Sequence, residues 1–435
     1  MMLRVISTSI ETMPLQLRMP FRFGITTVNA LKHVILRVEL EIDGQRQLGF
    51  AADHLVPKWF TKNPQTSISD DEAELMTVIE AACGLAPQLK PAQSVFDLWK
   101  DLYESQQSWS RGRKNCPPLL WNFGVTFIER AAIDAFCRAT RQTFAHALRS
   151  DALRLCLGEI HPELASTSVR DFLPERPSRS ITIRHTVGLS DPLTGSPGDD
   201  GLPLSLTDCV ATYGLTHFKI KLGGNVEQDV QRVHDVAAAV PNTQVFTLDG
   251  NENYRDVESL KRFWSLVDRD RVLFVEQPLH RDIALSDETA RELQNWTDRP
   301  PMIIDESDDS WDSSARALGA GYAGVSYKSC KGVFKGIANY CLMKRRNALI
   351  SAEDLSTIGP ISLLQDLAVI ATLGIPHAER NGHHYFRGLS ACSPQVQRQM
   401  LDQHRDVYRD IGFPSLDIRD GSLRVGSVVD ASFGV

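Results

Sequence analysis

Polar and apolar positions change rhythm twice along the chain. In residues 1–60 they alternate in short runs, LRVISTSIE and HVILRVELEI, followed by a turn at Asp43-Gly44. A period of two with an Asp-Gly turn predicts an antiparallel meander. Residues 70–150 show a helical period. In FGVTFIERAAIDAFCRAT, Val125, Ile128, Ala132, Ala135 and Phe136 fall on one stripe. The polar, basic, proline-terminated segment 106–118 reads as a surface loop. From about residue 180, short apolar runs alternate with helical stretches. The runs are ITIRHTVGL, THFKIKL, TQVFTLD, RVLFVE, PMIIDE, GVSYKS, ALISAE and IPHAER. That alternation predicts parallel strands with helices packed outside.

From the second strand on, a charge closes each run: Lys221, Asp249, Glu276, Asp305, Lys328, Glu353 and Glu379, about 26 residues apart. Eight such units fit a closed α/β barrel better than an open sheet. A parallel barrel strand is buried on both faces and should be apolar. Charges confined to the strand ends therefore collect in one mouth, where barrel enzymes carry their chemistry.

Asp249, Glu276 and Asp305 end three neighbouring strands, about 4.8 Å apart at the backbone. Anions that close repel unless a cation lies between them. An all-oxygen donor set favours Mg²⁺, with Mn²⁺ as its substitute, over zinc. Lys219 and Lys221 are two apart on one strand and share a face. Lys328 ends the sixth strand, opposite the second. Neighbouring positive charge and partial burial would lower a lysine pKa, as a general base requires. Metal and lysines together suit removal of the proton α to a substrate carboxylate, through an enediolate. Glu306 is a candidate hydrogen-bond support for a lysine. Glu353 is a candidate substrate contact, with helix capping as the alternative. Lys331 rivals Lys328 but should lie beyond the strand end. His383 and His384 are adjacent and are expected to point apart rather than to form a metal pair.

Composition narrows the setting. At 42% hydrophobic and 23% charged residues the 435-residue chain is globular. A net charge of −7 argues against a nucleic-acid surface. The eight cysteines include no CxxC pair, which suggests free thiols in a reducing compartment. Neither a signal segment nor a membrane-spanning run is evident. The expectation is a cytoplasmic protein acting on a small-molecule carboxylate, without nucleic-acid or membrane partners; homo-oligomer formation stays open.

These motifs resemble the enolase superfamily in its muconate-lactonizing (muconate cycloisomerase) subgroup, within the mandelate racemase/muconate lactonizing enzyme family. FKIKLGG resembles the strand-two KxK motif, whose second lysine, here Lys221, is the family's base. TLDGNENY, FVEQPL and IIDES resemble the three metal-ligand motifs, and SYKSCKG the strand-six lysine motif. ERAAIDAF resembles a helix of the family's N-terminal domain.

The resemblance implies a modified TIM barrel, (β/α)7β, with an N-terminal α+β capping domain completed by the C-terminal tail. The expected boundaries are 1–165 for the cap, 178–392 for the barrel and 393–435 for the returning segment. It implies catalytic Lys221, Lys328 and Lys219, and metal ligands Asp249, Glu276 and Asp305. Substrate contacts are expected from cap loops at 21–29 and 51–60, with Arg22, Lys58 and Trp59 as candidates. The activity implied is that of an isomerase or lyase: cycloisomerase, racemase, epimerase or dehydratase of a carboxylic acid. A scaffold retained for binding without turnover is the alternative, and a phosphoryl-transfer barrel a third. The segment His377-Ala-Glu379 departs from the Asp-x-Asp of dipeptide epimerases. The lysine on strand six departs from the mandelate racemase pattern.

Overall fold

A computed structural model describes residues 1–195 and 198–435. The meander forms β1 (Leu3–Phe23), β2 (Thr26–Ile42) and β3 (Gln45–His54), antiparallel in that order. Asp43 and Gly44 both hold positive φ, at 48° and 81°, in the two-residue turn joining β2 to β3. Such a turn matches the twist of an antiparallel pair. Against this sheet pack α1 (Ile68–Leu85), α2 (Val95–Ser110) and α3 (Pro118–Thr140). Helix α3 is buried along nearly its whole length, because it lies between β3 and the barrel. Contact is close enough to dictate glycine. A Cβ on Gly49 would stand 1.9 Å from the Ala131 carbonyl oxygen, and one on Gly124 2.0 Å from that of Val78.

The expected loop at 106–118 is helical in its first part, since α2 runs to Ser110. Gln106 is fully buried there, and its Nε2 donates to the Val78 carbonyl at 2.8 Å. A polar side chain can face a core when a carbonyl replaces its water. The sequence of 191–202 is longer than a typical connector, and its residues 196 and 197 lie outside the described residues.

The strand-and-helix repeat forms β4 (Ser180–Val187), β5 (His217–Lys221), β6 (Val245–Asp249), β7 (Val272–Glu276), β8 (Met302–Ile304), β9 (Gly324–Tyr327), β10 (Leu349–Ala352) and β11 (His377–Arg380). Each pairs in parallel with the next, and β11 pairs back onto β4, so the eight close into a barrel. The fold is an α/β modified TIM barrel under an antiparallel cap. In the tail, β12 (Tyr408–Asp410) and β13 (Pro414–Leu416) form an antiparallel ribbon, and β14 (Ser422–Arg424) adds antiparallel to β4. The tail ends with Phe433 against Phe144. Among the described residues, no helix is long and apolar enough to cross a membrane.

Cap and barrel are joined by charge as well as by apolar packing. Glu129 of α3 accepts the backbone N–H groups of Val333 and Phe334, at 3.0 and 2.7 Å. It thus caps the helix Val333–Arg346, which follows β9. Burial pushes the Glu129 carboxyl up to about 7, against the pull of those two amides.

Candidate active site

The acid-bearing strand ends converge as parallel neighbours. Asp249 and Glu276 close β6 and β7, and Asp305 follows β8; all three are fully buried. The backbone leaves two of these strands in an uncommon conformation. Asn251, Glu252 and Gln277 all hold positive φ, at 39°, 66° and 31°. Non-glycine residues adopt that region at a cost of order 1 kcal/mol and persist where neighbours over-determine them. Here the Asn251 N–H donates to Asp249 Oδ1 at 2.8 Å. Gln277 Oε1 accepts the N–H groups of Asp305 and Ser307, at 2.8 and 3.0 Å. Each turn thereby fixes an acid on its own or an adjacent strand.

The lysines enter from two walls. Lys221, at the end of β5, donates to Asp249 Oδ2 at 2.6 Å. Lys328, just past β9, donates to Asp305 Oδ2 at 2.7 Å. Both retain slight exposure, 5% and 4%. Lys219 sits lower and is fully buried, donating to Glu276, Glu353 and Glu379 at 2.8–2.9 Å. Lys331 bonds Ser326 and lies 3.1 Å from Asp305 Oδ1 and 3.2 Å from Asp308.

The electrostatics differ from the expectation of a lowered lysine pKa. Burial opposes charge on Lys328, yet Asp305 outweighs it and holds the ammonium proton above its usual range. Burial also disfavours charge on Lys219, but Asp249, Glu276, Glu353 and Glu379 together raise it well above. Burial works against the Asp305 carboxylate too, and Lys328 and Lys331 hold it well below the usual range. Burial, then the charges of Asp249 and Glu353, push Glu276 well up. Burial, Asp305 and Glu252 push Glu306 up to about 7. Acids outweigh lysines around this mouth, and Lys219, Lys328 and Lys331 are held protonated.

Two acceptor oxygens there lack a donor among the described residues, Glu306 Oε2 and Asn251 Oδ1, and Glu276 Oε2 has the Lys219 ammonium at 2.9 Å. Buried acceptors without partners are costly. A cation satisfies such oxygens, and three carboxylates on adjacent strands give the hard, all-oxygen set that Mg²⁺ or Mn²⁺ prefers. The residues fit that group.

The candidate substrate contacts divide. Trp59 lies at the mouth, its ring 4.4 Å from Lys328 Nζ. Glu353 faces the barrel interior, where it accepts from Lys219 and from Arg184. Arg22 and Lys58 require correction. In β1 the inward positions are Phe21 and Phe23, and Phe21 stacks on Tyr385; Arg22, between them, is turned to solvent. Lys58 binds Asp71 and Thr66 at the start of α1, which satisfies its charge away from the mouth.

A cation that the cap does bring to the turn after β6 is Lys62, which donates to the Asn251 carbonyl and, at 2.9 Å, to Asn253 Oδ1. The expected cap loop at 51–60 stops two residues short of it. Arg281 was also missed; it donates to the carbonyls of Trp59 and Phe60 at 2.8 Å and pairs with Glu252. Arg184 of β4 is, like Lys219 of β5, a charge inside a strand rather than at its end, and could have been noticed as an exception to the apolar pattern. Glu306 accepts from Asn251 at 3.0 Å instead of from a lysine.

Comparison with known proteins gives a family and a fold. A family described as Enolase C-terminal domain-like matches residues 205–426. No curated protein sequence matches the chain. Among solved structures, a dipeptide epimerase from Enterococcus faecalis, complexed with Mg and the dipeptide L-Leu-L-Tyr, superposes with a TM-score of 0.64 at 13% identity, covering 99% of each chain. A muconate lactonizing enzyme from Mucobacterium smegmatis, complexed with muconolactone, gives 0.59 at 17% identity, over 97% of this chain and 94% of that one. An N-succinyl Arg/Lys racemase from Bacillus cereus gives 0.61 at 13% identity, over 98% and 97%. At these identities the likeness is one of fold.

Proposed function

The chain belongs to the enolase C-terminal domain-like family, and on that footing we propose that its barrel mouth removes the proton α to the carboxylate of a small organic acid. The overall reaction is a cycloisomerisation, a racemisation or epimerisation, or a dehydration. One observation carries the reading: Lys221 and Lys328 stand on opposite strands of the barrel, each paired with a different member of the same acid trio.

Asp249, Glu276 and Asp305 would hold Mg²⁺, or Mn²⁺ in its place. A divalent ion there supplies positive charge for the substrate carboxylate and for the enediolate that follows proton loss. The chain's own groups do the rest. Lys221 takes the α-proton at Nζ, and Lys328, on the far wall, returns a proton or shields the opposite face. Lys219 is a positioning residue: fully buried, it holds four carboxylates in register and does not reach the reacting carbon. Trp59 covers Lys328 and excludes water from that side, and Glu353 anchors the floor. The mouth binds small carboxylates, which agrees in kind with the muconolactone and dipeptide held by two structural neighbours.

The test is α-proton exchange in D₂O with Mg²⁺ across a panel of carboxylic acids. Exchange with at least one acid, lost on chelation and in Lys221→Ala, is the expected result. A panel giving neither exchange nor Mg²⁺ binding would favour a scaffold that binds without turnover.

A further inference from the structure

A second cluster of donors lies on the outer face of the barrel where the cylinder closes. Residue 185 sits on β4, between Arg184 and Thr186, which point inward to Glu353 and Glu379. His185 therefore points outward, by the alternation of a strand. The helix Leu206–Tyr213, which follows β4, brings Cys209 against it, and the short helix Gly382–Tyr385, which follows β11, brings His383 and His384. One ring nitrogen each from His185 and His384 and the Cys209 sulfur lie within 4.8 Å of one another, and all three residues are buried. The adjacent histidines do not diverge as their sequence suggests. His384 turns to Cys209 and His383 turns to His185, because a single helical turn folded onto the strand presents both rings to it.

Several features distinguish this cluster from ordinary core histidines. The Cys209 Sγ to His384 Nδ1 separation is 3.6 Å. Two donors sharing one tetrahedral zinc, at about 2.3 Å for sulfur and 2.0–2.1 Å for nitrogen, are separated by roughly that amount. The widest pair must close by about 1 Å, within the reach of side-chain movement. The other nitrogen of His384, Nε2, faces Asp191 Oδ2 at 3.7 Å, and Asp191 is itself held by Tyr385 and by the Gly188 N–H. A carboxylate behind a histidine is the arrangement that orients a metal-binding imidazole. His185 has an orienting neighbour as well, since its Nδ1 lies 3.1 Å from His383 Nε2. Among the described residues, His383 Nδ1 has no hydrogen-bond partner although the ring is fully buried, and Asp191 Oδ1 has none either.

We propose that His185, Cys209 and His384 form a binding site for a soft transition-metal ion, zinc in the first instance, distinct from the all-oxygen mouth. Binding exchanges the Cys209 S–H bond for a sulfur–zinc bond and releases one proton to solvent. The ion ties together the first strand, the helix after it and the turn after the last strand, across the line where β11 meets β4. It is a staple for barrel closure and takes no part in turnover.

Cobalt(II) is the probe, added to the full-length protein in saturating Mg²⁺ so that the mouth is occupied by a hard ion. The expected result is one equivalent of Co²⁺ producing the near-ultraviolet thiolate-to-cobalt band and the visible bands of a tetrahedral site, displaced by one equivalent of Zn²⁺. Cys209→Ser removes the thiolate band, and Asp191→Asn keeps it but weakens binding about 10–100-fold, as loss of an orienting partner does. Zinc raises the thermal midpoint of the wild type and leaves that of Cys209→Ser unchanged. No thiolate band in the wild type, or a band that survives Cys209→Ser, overturns the proposal and leaves a thiol–imidazole hydrogen bond only. The wild-type titration decides the matter even if a variant fails to fold.

Discussion

The two walls of the mouth carry the same equipment, and the fold supports them by different means. Each has an outer lysine near solvent and an inner one locked in place: Lys221 above Lys219, and Lys328 beside Lys331. The β5 wall is set first by the barrel, with the cap reaching it through Lys62 at the turn after β6. Lys219 answers to acids from β6, β7, β10 and β11, and its position is set by strand register. The β9 wall is held by the cap. Trp59 covers Lys328, Asn122 of α3 donates to the Lys331 carbonyl at 2.9 Å, and Glu129 caps the helix that begins two residues later. Equivalent chemistry on opposite walls therefore does not imply equivalent mechanics: displacing the cap should disturb Lys328 directly and reach Lys221 through the turn after β6.

The comparison can be broken most directly at the outer lysines. Lys221→Ala and Lys328→Ala should each lower α-proton exchange by about 10²–10⁴-fold, the usual worth of a positioned acid or base. Comparable losses keep the walls chemically alike, and a loss confined to Lys221→Ala would leave Lys328 only a shielding role. Next is Lys219→Met, which leaves four buried carboxylates without their shared partner. Denaturant unfolding should report a loss of about 3–5 kcal/mol, as for a broken buried ion pair.

A third prediction isolates the capped wall. Glu129 holds its proton more tightly folded than unfolded, so its contribution is full below pH 4 and is lost as pH rises towards 7. Glu129→Gln should remove a slope of about 1–3 kcal/mol across that window, seen as a flatter dependence of the urea midpoint on pH. The smallest effect is Trp59→Leu, which removes a cation–π contact of about 0.5–2 kcal/mol. Its mark should fall on Lys328-dependent exchange, and an equal change in Lys221-dependent exchange would dissolve the distinction between the walls.

The sequence made the barrel legible because parallel strands tolerate so little. Eight apolar runs, seven of them stopped by a charge, violate burial in one repeated place, and that place is the mouth. The cap contacts were harder to read. Arg22 and Lys58 looked available because both are basic and stand in the expected loops. Strand alternation turns Arg22 outward, and Asp71, thirteen residues along, captures Lys58. Lys62 has the same chemistry, and only the tertiary path of the loop brings it to Asn251. The loop reading of 106–118 held for 111–117 and failed at 106–110 for a related reason: composition registers that Gln106 is polar and is blind to the carbonyl waiting for it. His185, Cys209 and His384 are far apart in sequence and share no spacing rule, so barrel closure alone makes them neighbours.

Arg281 has a bearing on how a substrate is admitted. One guanidinium grips two carbonyls of the Trp59–Phe60 bend and a carboxylate from the turn after β6, so bend and turn form a fixed jamb that cannot swing clear of the doorway. The hairpin between β1 and β2 approaches the same turn without such a clamp: the Arg22 carbonyl accepts the Leu189 N–H at 3.1 Å, and Ile25 at its tip is 45% exposed. One side of the doorway is therefore pinned by charge, and the other rests on backbone contact.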